Sequence, residues 1–325
     1  MICIGIESTA HTFGAGIITS EGKILANEID MYTLKEGGMI PDEVANHHKQ
    51  VADKVIAAAL QKANLTWDDI GLISFSQGPG LSPALLVGKE KARKYARKYD
   101  KPLIGANHCV AHLTIGQLVT KTKDPIYLYV SGVNTQVIAL AGKHFRVFGE
   151  TLDLGLGNML DKFGRVAGLG FPAGPKIEQV AKSGKYHELP YTVKGMDVSF
   201  AGILTKAQQL LEKGVSVEDL CYSLQETTFA MLCEVAERAM AHVKKNELIL
   251  IGGVAANKRL CEMLSIMCKE RGAIFYPVPI QYCGDQGVMI AWQGLLQYQA
   301  GERDDVDVID ILPYERTDEV AVTWV

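Results

Sequence analysis

One pattern, used twice, limits what this chain can fold into. Residues 2–29 read ICIGIESTAHTFGAGIITSEGKILANEI, and residues 125–151 read PIYLYVSGVNTQVIALAGKHFRVFGET. Each begins with a short apolar run and a small polar turn. A second apolar run, a charged turn and a third apolar run follow, which is the signature of three strands joined by tight turns. A second matched pair follows downstream. DIGLISFSQGPG (69–80) and NELILIGGVAANKRL (246–260) are each an apolar strand entering a glycine-rich turn at a helix start. The expected architecture is therefore one α/β unit duplicated. Its boundary lies near residues 123–125, giving lobes 1–124 and 125–325. A chain of 325 residues has the length for two such lobes.

The turns have a use beyond reversing the chain. Glycine allows close backbone approach, and exposed N–H groups at helix starts favour phosphate. Four such turns in matched positions predict a nucleotide bound in the cleft of a two-lobed fold. None of them matches GxGxxG or GxxxxGK[ST], which disfavours the Rossmann and P-loop readings.

In NHCVAHL (107–113), His108 and His112 are four residues apart and follow the strand-like KPLIGA. On a helix they share one face, close enough to grip one ion. The same spacing also suits two structural histidines on a half-buried helix, so both readings stand at this point. The HExxH pattern is absent because Cys109 and Val110 fill the middle, so a zinc-protease reading lacks its general base. Asp285, in the glycine-flanked turn CGDQG, and Tyr129 are candidate further ligands, and an Asp/His/Tyr set suits iron or zinc. Spacing alone does not bring these positions together. His47 and His48 are adjacent, face different ways on a helix, and read as surface or structural. His11, in the first turn, is a candidate ligand contact. His144 and His187 carry no signal.

Read in order, IESTAHT, FSQGPG, NHCVAH, YVSGVNTQV, GETLDLGLGNMLDKF, FPAGPKIE, KGMDVSFAG, GGVAANKRL, CGDQG and the RTDEV tail make a set. On these motifs the chain resembles, over nearly its whole length, the universal tRNA threonylcarbamoyltransferase family in its archaeal and eukaryotic form. That form is the catalytic subunit of the KEOPS complex, formerly described as an O-sialoglycoprotein endopeptidase. The resemblance implies an actin/Hsp70-like fold, two duplicated lobes around a nucleotide cleft. It implies one Fe2+ or Zn2+ held by His108, His112, Tyr129 and Asp285. Nucleotide and acyl-adenylate contacts map to Tyr129, Val130, Ser131, Gly132, Val133, Asp161, Gly174, Glu178 and Asn257, for ATP or threonylcarbamoyl-AMP, with or without Mg2+. The implied reaction passes the threonylcarbamoyl group to N6 of the adenosine 3′ of the anticodon, with AMP leaving. No residue stands out as general base. The implied partners are tRNA, a kinase-like ATPase (fused to the chain in some archaea), a small dimerising subunit and a kinase regulator.

The chain departs from the family pattern at four places. Val133 stands where a second glycine is usual, and a β-branched residue disfavours positive φ. Ala173 replaces a glycine, and Gly284 and Gln286 flank Asp285 where other residues are common. No proposed metal ligand is lost.

The segment GKEKARKYARKYDK carries Lys89, Lys91, Arg93, Lys94, Arg97, Lys98 and Lys101 around a helical stripe of Ala92, Tyr95, Ala96 and Tyr99. Lys91, Arg93, Lys94, Arg97 and Lys98 are candidate tRNA contacts. Since the formal charge is −4, partner subunits are expected to supply the rest of a tRNA surface. Seven scattered cysteines without a CxxC pair, no signal-peptide start and no long apolar run suit a cytoplasmic protein. Three competing functions share some of these features: a metal-dependent glycoprotease, a non-catalytic nucleotide switch and a sugar kinase. Fold alone does not separate them.

Overall fold

The computed structural model describes residues 1–33 and 40–325. The first repeat forms β1 (Ile2–Glu7), β2 (Thr12–Thr19) and β3 (Ile24–Met31). After it come α1 (Pro41–Ala63), β4 (Leu72–Gly78), α2 (Ser82–Tyr99), β5 (Leu103–Asn107) and α3 (His108–Thr120). The second repeat forms β6 (Ile126–Val130), β7 (Thr135–Ala141) and β8 (His144–Glu150). Next are α4 (Leu156–Val166), α5 (Gly174–Val180), β9 (Val193–Lys194), β10 (Asp197–Val198), α6 (Ala201–Glu212) and α7 (Val217–Val243). The chain ends through β11 (Glu247–Ile251), α8 (Lys258–Glu270), β12 (Ile274–Pro277) and α9 (Gly287–Gln299).

The two large sheets have the same topology. One is ordered β3-β2-β1-β4-β5 and the other β8-β7-β6-β11-β12. In each, the first strand pairs antiparallel with the second and parallel with the fourth. The duplication read from the sequence is thus present strand for strand.

Contacts divide the chain into residues 1–118, 142–144 and 284–325 on one side, and 119–141 and 145–283 on the other. This differs from a single cut after residue 124, because the last 42 residues return to the first unit. The reason is alternation in β1 and β2. Ile4, Ile6, Phe13, Ala15 and Ile17 bury with α1 and α2 in one core. The intervening Gly5, Gly14 and Gly16 point the other way, and α9 packs on the surface they leave. A Cβ on Gly5 would stand 2.2 Å from the Ala291 nitrogen, and one on Gly16 2.1 Å from that of Val288. A Cβ on Gly287 would stand 2.1 Å from the Gly16 nitrogen. Only glycine permits this backbone-to-backbone approach, and it fixes the turn just before α9, where Asp285 lies.

Gly16→Ala is expected to cost about 1–3 kcal/mol through overpacking against α9. Denaturant unfolding measures this, and an unchanged midpoint would contradict the packing argument.

Candidate metal centre

The site starts with the junction of β5 and α3. Asn107 ends the strand, and its Oδ1 accepts the Val110 N–H at 3.1 Å, capping the helix. Its Nδ2 donates to Glu315 Oε2 at 2.9 Å, so the C-terminal segment braces the cap. His108 and His112 then project from one face of α3, with ring centroids 4.8 Å apart and planes crossed at 87°. Asp285 arrives from the turn before α9. Its Oδ1 lies 3.5 Å from His108 Nε2 and 3.3 Å from His112 Nε2. The three donor atoms lie within 4.8 Å of one another, the histidines buried and the aspartate partly so. Gln286 holds the turn in place by accepting from Asn27 Nδ2 at 2.9 Å. A Cβ on Gly284 would meet nothing, so packing does not require glycine there.

Behind His108 sits a residue that motif spacing did not single out. Glu7 is fully buried at the end of β1. Its Oε1 accepts the N–H and O–H of Thr9, and its Oε2 lies 3.0 Å from His108 Nδ1. In the sequence it shows as an acidic residue closing an otherwise apolar strand, inside the IESTAHT motif.

These residues fit a divalent metal. Two donors, each about 2.1 Å from one ion and a tetrahedral angle apart, stand about 3.4 Å from each other; Asp285 Oδ1 stands 3.5 and 3.3 Å from the two imidazole nitrogens, and all three donors lie within 4.8 Å of one another. Two imidazoles with one carboxylate suit Fe2+ or Zn2+. The electrostatics agree. Burial works against charge on His108, yet the Glu7 and Asp285 carboxylates raise it to about 9. Burial also works against charge on Asp285, but the His108 and His112 imidazoles hold its carboxyl well below the usual range. Burial lowers His112. Two buried carboxylates beside one charged imidazole thus form an under-neutralised pocket, which a dication balances once His108 gives up its proton.

The remaining histidines are separate. His48 is buried, lies 2.8 Å from the Ala10 carbonyl and is lowered to about 4 by burial, while His47 pairs with Asp30 at 3.0 Å. Both are structural. His11 lies in the turn between β1 and β2, His144 opens β8 beside Ala321, and His187 lies 3.1 Å from Asp219.

In the second unit, Tyr129 and Val130 are buried on β6. The turn after them is closed by Ser131 N–H to the Asn134 carbonyl at 2.7 Å. Val133 is 71% exposed and is absent from the positive-φ residues, so this turn does not need the glycine conformation. Asp161 Oδ1 accepts the Ala173 N–H at 2.7 Å. The Ala173 methyl fills the space that a side chain on Gly164 would need, so the two positions complement each other. Gly174 opens α5 with free space around its Cα. Glu178 accepts the Lys258 N–H at 3.1 Å, beside Asn257. The Asn257 side chain is already engaged, capping α8 through Leu260 N–H and donating to Gln225. These residues form two local groups in the second unit, Asp161 with Ala173–Gly174 and Glu178 with Asn257–Lys258.

The basic helix α2 is less free than its sequence suggests. Lys91 pairs with Asp53 at 2.8 Å, Arg93 donates to the Asp307 carbonyl, and Arg97 pairs with the Asp307 carboxylate. Lys89 pairs with Asp310. Lys94 and Lys98 are exposed, their ammoniums 5.3 and 5.0 Å from the Tyr95 and Tyr99 ring centres.

Metal binding at this pocket is expected to release roughly one proton near pH 7.5, because His108 is charged below about 9 and must bind through neutral Nε2. The release fades as pH rises past that value. Calorimetric titration of Zn2+ in buffers of different ionisation heats measures it, and zero release at neutral pH would contradict the assignment.

A sequence model of the family described as tRNA N6-adenosine threonylcarbamoyltransferase matches residues 23–292. A relative of that name from Thermococcus kodakarensis is 53% identical over 326 residues, covering 100% of both chains. A Methanocaldococcus jannaschii protein named as a probable bifunctional tRNA threonylcarbamoyladenosine biosynthesis protein is 50% identical, over 100% of this chain and 61% of its own. Among solved structures, full-length HypF in its phosphate- and nucleotide-bound form superposes with a TM-score of 0.62 at 12% identity, over 93% of this chain and 47% of that one. That likeness speaks to the fold, which is the actin/Hsp70-like ATPase fold.

Proposed function

The chain belongs to the tRNA N6-adenosine threonylcarbamoyltransferase family, and we propose that it transfers the threonylcarbamoyl group of threonylcarbamoyl-AMP to tRNA. The observation that carries this reading is a buried, convergent His108–His112–Asp285 donor set in a chain that aligns over its full length with proteins of that name. In the reaction, N6 of the adenosine 3′ of the anticodon attacks the carbamoyl carbon. The bond from that carbon to the phosphate oxygen breaks, AMP leaves with its phosphate, and the amine loses a proton. A bound dication would supply Lewis acidity and a fixed point for orienting the adenylate.

On the protein side, His108, His112 and Asp285 would hold Fe2+ or Zn2+. Tyr129 enters as a further ligand on the family resemblance alone. The Ser131–Gly132–Val133 turn, with Val130, presents backbone polar groups suited to phosphate. Asp161, Gly174, Glu178 and Asn257 are proposed to hold the rest of the adenylate, with or without Mg2+. Asn257 would contribute beside the cap it already makes. No side chain is assigned as general base. A glycoprotease would need one by the metal, and Glu7, the further carboxylate found there, has both oxygens occupied.

The proposed setting is the cytoplasm, within a KEOPS-type assembly of a kinase-like ATPase, a small dimerising subunit and a kinase regulator. The word "bifunctional" in the name of the M. jannaschii relative supports a second module acting with this one. No helix among the described residues is long and apolar enough to cross a membrane.

Unmodified tRNA incubated with threonylcarbamoyl-AMP, this chain and those subunits is expected to yield N6-threonylcarbamoyladenosine by nucleoside mass spectrometry. His112→Ala should reduce the yield at least tenfold, and Glu178→Ala should raise the apparent KM for the adenylate. No product from folded components would overturn the transferase reading.

Among the α2 residues proposed to meet tRNA, Lys94, Arg97 and Lys98 are exposed, and Arg97, like Lys91 and Arg93, is engaged with an acidic or carbonyl partner. Lys94→Glu with Lys98→Glu is expected to weaken tRNA binding and flatten the slope of log affinity against log salt by roughly two. An unchanged slope would remove this face from the tRNA surface.

A further inference from the structure

The buried carboxylate of Glu7 is assigned no step in the transfer proposed above, yet it stands where an unpaired charge is costly. It lies at the end of β1 with no exposed surface. Each oxygen has a distinct commitment. Oε1 receives two hydrogens from one residue, the backbone N–H and the hydroxyl of Thr9. Oε2 faces His108 Nδ1 at 3.0 Å. Thr9 Oγ1 is also 3.2 Å from that nitrogen, and its hydrogen is directed to Glu7. Both of these oxygens therefore face Nδ1 as acceptors, and Nδ1 has to carry a hydrogen.

We propose that Glu7 is a positioning residue for the metal centre: braced by Thr9, it holds the His108 imidazole with its hydrogen on Nδ1, so that the Nε2 lone pair is aimed at the ion shared with His112 and Asp285. The inference rests on the reading of that cluster as a metal site. A ligating histidine commonly donates its other N–H to a carboxylate, which fixes ring orientation and makes the ligating nitrogen a better donor. The placement addresses His108, whose Nδ1 stands 3.0 Å from Glu7 Oε2. A lone acidic residue near a histidine could be only a buried ion pair, but the Thr9 bracing leaves the carboxylate one orientation, and that orientation matches the ring.

The amide variant separates the two roles. In Glu7→Gln one terminal atom becomes an NH2 donor. Its oxygen is needed by the two Thr9 donors, so the NH2 turns toward Nδ1. The imidazole then has to accept at Nδ1 and carry its hydrogen on Nε2, which blocks coordination. Shape and volume are nearly unchanged.

The test uses the full chain, Zn2+ as probe, and chelator competition to measure affinity. X-ray absorption spectroscopy on the zinc-loaded protein counts the bound imidazoles. Wild type is expected to bind one zinc through two imidazoles. Glu7→Gln, shown to be folded by circular dichroism, is expected to bind 10–100-fold more weakly, with one imidazole. Thr9→Val, which removes the hydroxyl half of the brace and keeps the backbone N–H and the carboxylate, should weaken binding several-fold. Wild-type affinity with two imidazoles in Glu7→Gln would overturn the inference. If that variant does not fold, wild-type affinity in Thr9→Val would do the same. A wild-type chain that binds no zinc, or binds it equally after His112→Ala, would instead sink the metal-site reading itself.

Discussion

Backbone contact between α9 and the glycine faces of β1 and β2 is the constraint on which the first unit depends. A helix can approach a sheet this closely only where side chains are missing, and β1 and β2 present Gly5, Gly14 and Gly16 to the same partner. Their alternate residues, Ile4, Ile6, Phe13, Ala15 and Ile17, fill the core on the opposite face. One pair of strands thus serves two surfaces with different packing rules. Because α9 begins at Gly287, the contact also fixes the turn that carries Asp285, 173 positions from His112 in the chain. The His108–His112–Asp285 cluster is a consequence of how the last segment of the chain is seated.

Charge explains why the cluster suits an ion. Glu7 and Asp285 place two acidic groups beside two imidazoles in a setting with little water. His108 responds by holding a proton and His112 by staying neutral. The pocket is short of positive charge in that state, and a bound dication would supply it while displacing the proton. A different neutralisation is seen on the outer surface. The C-terminal segment sets Asp307 and Asp310 against Arg93, Arg97 and Lys89 of α2, and Glu315 against the residue that caps α3. The same segment that quiets the basic helix steadies the start of the helix that carries His108 and His112.

Much of this was legible in the sequence, for physical reasons. Short apolar runs separated by small polar and charged turns announced both sets of three strands, and their repetition announced the duplicated lobes. The spacing of His108 and His112 placed them on one helical face. Local pattern could not bring Asp285 to them, because no periodicity spans the distance; family resemblance pointed there. Glu7 was not singled out, since its role appears only once β1 lies beside α3. The α2 face read as a free basic stripe because Asp307 and Asp310 lie over two hundred residues away in the chain and Asp53 lies on the separate helix α1. The concern raised by Val133 dissolves in the structure, where its side chain meets solvent and its backbone has no positive φ. The single boundary after residue 124 missed the return of the C-terminal segment, which obeys tertiary packing and leaves no mark in composition.

The central claim is that one metal held by His108, His112 and Asp285 serves transfer to tRNA. The most direct test strips wild-type protein with a chelator and measures modified nucleoside while Fe2+ or Zn2+ is titrated back, all other subunits being present. The account predicts that product formation is lost on stripping and returns in proportion to metal, levelling at one equivalent per chain. Full activity in protein shown to be metal-free would contradict it.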